Sequence, residues 1–515
     1  MKISDRSPAA ELRKPAPRFE NTFVRDLPAD PVLANTPRQV RNACYTRVEP
    51  TPVAAPRLLA WSDEAGRMLG IERPAAADPM IEVLGGNRLL PGMQPYAARY
   101  GGHQFGHWAG QLGDGRAITL AEAIAADGTR QELQLKGAGR TPYSRSADGR
   151  AVLRSSLREF MCSEAMHHLG VPTTRALSLI ATGEAVIRDM FYDGHPRPEP
   201  GAVVCRVSPS FLRFGNFEIL AAQGEHDTLR RLADFVCTTY FSNQSIQETF
   251  QEICRRTGLL LADWMRLGFV HGVMNTDNLS ILGLTIDYGP YGWLEGYDLA
   301  WTPNTTDAEG RRYCYGNQPH IAQWNLTRLA EALLPLVPDK APLEEGLALY
   351  AETFAAAWQK ALAQKLGVAA LDRPGDDELV SGLFQLLVEK ETDFTIFFRN
   401  LATPTVESLR AAYYTGDVPA DRLQSWLQAY ENRIQYENDR AARMNAVNPK
   451  YVFRNYLAQQ AIDAIEQGGD TSMLERLMIV LRHPFDEQPE HQDFAVRRPE
   501  WARHKAGCSA LSCSS

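Results

Sequence analysis

Twenty positions, His271 to Pro290, gather side chains that can hold a cation and move a proton: HGVMNTDNLSILGLTIDYGP. Asn278 stands seven after His271, and Asp287 opens the triplet Asp287-Tyr288-Gly289 nine further on. An amide oxygen and a carboxylate suit Mg2+, which takes few protein ligands and leaves the rest to phosphate and water. Asp277 is the one further carboxylate beside that pair, and it is a candidate general base.

A protein-kinase catalytic loop has the same His-to-Asn spacing, and its later Asp-Phe-Gly supplies a metal-binding Asp. The kinase base stands two after the His. Here that position is Val273, which cannot accept a proton. Read on Asn275-Thr276-Asp277 alone, the stretch is an Asx-rich turn. Read on its whole spacing, it is a nucleotide–metal site whose base has moved to Asp277.

Two other stretches could hold phosphate. In GQLGDGRA, Gly110, Gly113 and Gly115 allow close backbone approach, and Arg116 adds a charge. The alternative for this stretch is a plain glycine turn. In LKGAGRTPYSRSADGRAVLRSSLREF, Lys136 ends a strand and Glu159 lies in the next helix, as in the kinase Lys–Glu ion pair. From Lys136 to Arg175 there are six Arg and one Lys against three acids, the reverse of the chain's overall balance. Arg206 and Arg213 follow. Two further Arg near one triphosphate suit a reaction whose leaving group is pyrophosphate, where charge builds up in the transition state.

These residues need scaffolding. RQELQLK alternates as a strand, and AVLRSSLREFMCSEAMHHLG has helical periodicity up to Gly170. LSIL-G-LTID reads as a short hairpin around Gly283 that brings Asn278 and Asp287 to one end. Residues 1–40 read as a poorly ordered Pro- and charge-rich arm. The whole predicts an α+β, two-lobed protein-kinase-like fold with extended terminal segments. Residues 1–94 form an arm and helical extension, 95–220 a strand-rich N-lobe, 221–500 a helical C-lobe and 501–515 a flexible Cys-containing tail.

At 515 residues the chain exceeds one ordinary core. A net charge of −8 argues against nucleic-acid binding. No apolar run is long enough to span a membrane and no signal-peptide core is evident, so a cytoplasmic location without membrane partners is expected. The eight Cys include no C-x-x-C pair, which argues against zinc and for a reducing compartment. Cys508 and Cys513 lie in a polar tail. Cys314 follows Arg311 and Arg312, which should favour its thiolate, making these three the redox candidates.

YGGHQFGHWAGQLGDGRA, LKGAGRTPYSRSADGRAVLRSSLREF, HGVMNTDNLSILGLTIDYGPYG and NPKYVFRNYLAQQAI together resemble the selenoprotein O family across nearly the whole chain. The resemblance implies a kinase-like fold that binds ATP inverted and transfers AMP to hydroxyls of protein substrates, itself included. It implies ATP and Mg2+, with Mn2+ an alternative, as cofactors. Carried over by motif, Gly113, Gly115, Arg116, Lys136, Asp148, Gly149, Arg206, Arg213 and Asp287 hold the nucleotide. Asn278 and Asp287 bind metal, and Asp277 accepts the proton. Some bacterial members pair the tail Cys with a Cys in a loop where this chain has Pro303, a departure that leaves the tail switch without that partner. The rival readings are a phosphotransferase with a remodelled loop and a pseudokinase that binds ATP only structurally.

Overall fold

A computed structural model describes residues 17–190, 193–416, 418–435 and 437–512. It is a mixed α/β structure built on an antiparallel sheet, with helices filling most of the chain after residue 210. The strands are β1 (Tyr45–Arg47), β2 (Arg57–Trp61), β3 (Tyr96–Ala98), β4 (Gly101–Gln104), β5 (His107–Gln111), β6 (Ala117–Ile124), β7 (Arg130–Lys136), β8 (Ala151–Val152), β9 (Arg175–Arg188) and β10 (Arg197–Ser208). The main sheet runs β1-β3-β6-β7-β10-β9-β2, and β8 pairs with β10. β4 and β5 form a separate two-stranded ribbon.

Strand period explains how the sheet is covered on both faces. In β10, Ala202 and Val204 join the core of the Leu153–His168 helix, with Leu157, Phe160 and Met161. Their neighbours Val203, Cys205 and Val207 join the opposite core, with Trp61, Ile118 and Leu135. Successive side chains point to opposite faces, so an unbroken apolar run is what a strand buried on both faces requires.

The same period sets up the site. β7 and β10 pair Gln134 with Arg206 and Lys136 with Val204. Lys136 and Arg206 therefore share the face on which the Leu153–His168 helix lies, and that helix carries Glu159.

The Ile246–Leu267 helix leads into the 271–290 segment. Ser245 and Glu248 form a reciprocal capping box at its start, and Gly268, at φ 68°, ends it. A cap of this kind contributes about 1 kcal/mol. β11 (Phe269–Val270) follows at once and leads into His271; it pairs with β12 (Gly292–Trp293).

Two expectations are corrected here. Residues 17–40 are docked, not loose: Phe23 stacks on Tyr96 at 4.9 Å, and Thr22 donates to Glu122 from its backbone and its hydroxyl. The hairpin around Gly283 does not form. Residues 279–281 pair instead with 212–214, through Phe214 N to Leu279 O and Ile281 N to Leu212 O. Thr285 exchanges bonds with Pro172 and Thr174. The backbone groups a hairpin would use are committed elsewhere, and those bonds draw Arg213 to the 271–290 segment. Among the described residues no helix is long and apolar enough to cross a membrane.

One pH effect is written into the sheet. Glu122 and Glu132 lie directly opposite across β6 and β7. Burial, and next the charge of Glu122, push the Glu132 carboxyl up to about 8. The fold thus holds a proton that the unfolded chain releases near its ordinary carboxyl range, so stability falls as pH rises towards 8. Thermal midpoints measured from pH 5 to 8 should decline in the parent. They should decline less in Glu132→Gln, and equal slopes would refute the assignment.

Candidate active site

Asp287 sits at the centre of a charge network. Its Oδ1 accepts from Arg206 Nη1 at 2.6 Å and lies 3.7 Å from Lys136 Nζ. Its Oδ2 accepts from Arg213 Nε at 3.0 Å and Nη2 at 2.9 Å. Glu159 pairs with Lys136 and Arg206, each at 2.8 Å. Arg206 and Arg213 are only 2% and 1% exposed. The guanidiniums of Arg213 and Arg206 and the Lys136 ammonium outweigh burial and hold the Asp287 carboxyl well below the usual range. Asp287 has a left-handed backbone, φ 57°, uncommon outside Gly. His271, buried, contacts the Ile286 carbonyl just before it through Nε2 at 2.9 Å.

Asp277 stands apart from that network. It lies in a short 3-10 turn, Thr276–Asn278, and is 8% exposed. Burial raises its carboxyl to about 7, against a lowering hydrogen bond from Gln104. Gln104 Nε2 donates to Oδ2 at 3.2 Å, while Oδ1 is buried with no hydrogen-bond partner. A buried acceptor without a donor is costly and rare in a native fold. It suits an atom waiting for a substrate hydroxyl. Asn278 donates its Nδ2 to Val273 O, which leaves its amide oxygen as the atom for a cation.

The β4–β5 ribbon lies on this turn, and the sequence reading gave its Gly102, His103 and Gln104 no role of their own. His103 N donates to Thr276 Oγ1 at 2.7 Å. Phe105 N donates to Tyr313 Oη at 2.8 Å, and that hydroxyl donates to Asn275 Oδ1 at 2.6 Å. His103 Nδ1 contacts Glu218. The stretch HQFGHW offered a signal, two His and a Gln among glycines, but its partners lie 115 or more residues away. Gly102 permits the approach. A Cβ there would stand 2.5 Å from Asp277 Oδ1. Gly102→Ala should therefore displace the carboxylate and cut any reaction that depends on it about 10²-fold, the scale of a 1 Å misplacement. Turnover measured beside ligand titration checks it, and near-parent turnover would detach the ribbon from the site.

The other expected ligands are arranged differently. Gly113, at φ 111°, abuts Tyr143, and Gly115 O accepts from Ser144 Oγ, so these glycines serve close packing against the 137–150 segment. Arg116 is near enough to lower the Lys136 ammonium, behind the larger effect of burial. Asp148 pairs with Arg188 at 2.7 Å, and Gly149 O accepts from Gly139 N. Asp114, unremarked in the sequence, is buried 3.5 Å from Arg213 Nη1.

The thiolate expected at Cys314 is not what its surroundings favour. Cys314 is 8% exposed, and burial pushes its thiol up, not towards thiolate. Arg312 stacks on Trp324 at 4.6 Å instead. Cys508 is buried too and raised to about 11. Cys513 lies outside the described residues. The tail nevertheless meets the loop at Pro303 by backbone bonds, Leu511 N to Pro303 O and Thr305 N to Leu511 O. The neighbouring Asn304 donates to Gly272 O, next to His271.

Comparison with known proteins bears on this geometry. The family model described as protein adenylyltransferase SelO matches residues 33–482. A protein of Nitrosospira multiformis named protein nucleotidyltransferase YdiU is 64% identical, over 97% of this chain and 96% of its own. Proteins of that name from Aromatoleum aromaticum and Xanthomonas axonopodis pv. citri are each 57% identical, over 96% and 97% of this chain and 99% of theirs.

Proposed function

The chain belongs to the SelO family and is a protein nucleotidyltransferase, and from that premise we propose that it transfers AMP from ATP to Ser, Thr or Tyr hydroxyls of proteins, itself included. The observation that carries this reading is the separation of two carboxylates. Asp287 is bound among three cations, and Asp277 is buried outside that network with an acceptor oxygen that has no hydrogen-bond partner. One suits charge neutralisation and the other proton transfer.

In this reading the architecture is a two-lobed, kinase-like one, with the nucleotide between the sheet and the helical part. Lys136, Arg206 and Arg213 take the phosphate charge. Gly113, Gly115, Arg116, Asp148 and Gly149 shape the rest of the nucleotide site. Asp287 and Asn278 offer carboxylate and amide oxygen, the donors that Mg2+ or Mn2+ prefers, so the residues fit such an ion. When bound, the ion would neutralise phosphate oxygens. Asp277 takes the proton of the target hydroxyl as its oxygen bonds to the α-phosphorus. The bond from that phosphorus to the bridging oxygen breaks, and pyrophosphate leaves with its charge facing Arg206 and Arg213. A carboxyl raised to about 7 is well matched to this task near neutral pH.

Intact-mass analysis of the protein after incubation with Mg-ATP tests the reading. A gain of adenylate mass is expected. A gain of phosphate mass alone would replace it with a phosphotransferase.

A further inference from the structure

Every oxygen of Asp287 is already occupied by a cationic partner. Arg206 and Lys136 face Oδ1, and Arg213 grips Oδ2 with two nitrogens. A divalent cation approaching this carboxylate meets three positive charges at ion-pair range. Both guanidiniums are buried, so such repulsion is weakly screened.

Each cation also has an anchor independent of Asp287. Arg206 is held by Glu159 at 2.8 Å and by Gln134. Lys136 is held by Glu159. Arg213 donates to Phe211 O at 3.0 Å and lies over the Tyr100 ring at 4.7 Å. The cations therefore stay in place when the charge of Asp287 is drawn to something else. Glu159 still faces Arg206 and Lys136, so the counter-charge is lost mainly at Arg213, where Asp114 lies no nearer than 3.5 Å, and a triphosphate supplies one.

We propose that Arg206 and Arg213 form an interlock. In the nucleotide-free protein they hold Asp287 as their counter-ion and keep divalent cations off it, so metal binds only together with a nucleoside triphosphate. The inference rests on the reading of Asp287 as a metal residue. By linkage, metal must strengthen nucleotide binding by the factor by which nucleotide strengthens metal binding. It also gives Arg213 an effect of unusual sign. Its removal weakens nucleotide binding yet opens Asp287 to the bare ion. A purely structural ion pair would give no such opposition, because its loss weakens both.

The experiment titrates Mn2+ into the protein by electron paramagnetic resonance, with and without an ATP analogue whose α–β bridge is carbon. In the parent, the analogue should tighten Mn2+ tenfold or more. In Arg213→Met, nucleotide-free Mn2+ affinity should rise tenfold or more while analogue affinity falls. Adding Asp287→Asn to that variant should remove the gain. Three results overturn the proposal: tight Mn2+ binding by the nucleotide-free parent, loss of both affinities in Arg213→Met, or a gain that survives Asp287→Asn. If Arg213→Met does not fold, the parent titration decides, and Arg206→Gln takes the variant's place. None of these readouts requires transfer. A protein that moved phosphate instead of AMP could still show the interlock, and an AMP transferase could lack it.

Discussion

Asp277→Asn should leave nucleotide affinity near that of the parent while transfer falls by about 10² to 10⁴-fold, the usual cost of losing a general base. The substitution is nearly isosteric. Its amide can still accept from Gln104, so the turn and the overlying ribbon keep their contacts. Asn278 and Asp287 are untouched. What goes is an acceptor able to take a proton at Oδ1, the oxygen that lies buried without a partner. Nucleotide titration followed by single-turnover transfer separates the two effects. Equal losses in both would make Asp277 a binding or structural residue.

Asp287→Ala should abolish transfer at every Mg2+ concentration and also destabilise the fold. Truncation leaves two guanidiniums, 1% and 2% exposed, without their shared counter-charge. Removing one partner of a buried pair costs about 3–5 kcal/mol. Glu159 still neutralises Arg206 and Lys136, so the loss falls mainly on Arg213. A polyanion at the site should restore part of this stability. Thermal melts with and without triphosphate should therefore show a larger upward shift in Asp287→Ala than in the parent when metal is absent. Retained turnover would show that Asp287 is not the residue on which phosphate charge is managed.

Much of this site was legible along the chain. The spacing from His271 through Asn278 to Asp287 and the Lys136–Glu159 pair are local patterns. Strand period and a helix start are enough to forecast that Lys136 and Glu159 meet, and they meet at 2.8 Å. What stayed hidden depends on long-range pairing. The segment after Asn278 alternates like a hairpin, yet its two arms bond to 212–214 and to 172–174. Gln104 and Gly102 touch Asp277 across 170 or more residues, and no periodicity encodes that contact. Cys314 misled for a related reason. Two adjacent Arg argued for a thiolate, but burial of the Cys and the stacking of Arg312 on Trp324 prevent it. Arg206 and Arg213 were expected as nucleotide ligands. The structure gives them an internal partner first, Asp287, which no single-residue reading supplies.

The most direct test of the central claim is which phosphate of ATP enters protein. Parent and Asp277→Asn are incubated with Mg2+ and ATP labelled at either the α- or the γ-phosphorus, and covalent label is counted after denaturation. The expected result is α-label in the parent, little α-label in the variant, and γ-label in neither. Label from the γ-position alone would contradict the account, because the bond broken would then lie beyond the phosphorus that Asp277 is proposed to serve.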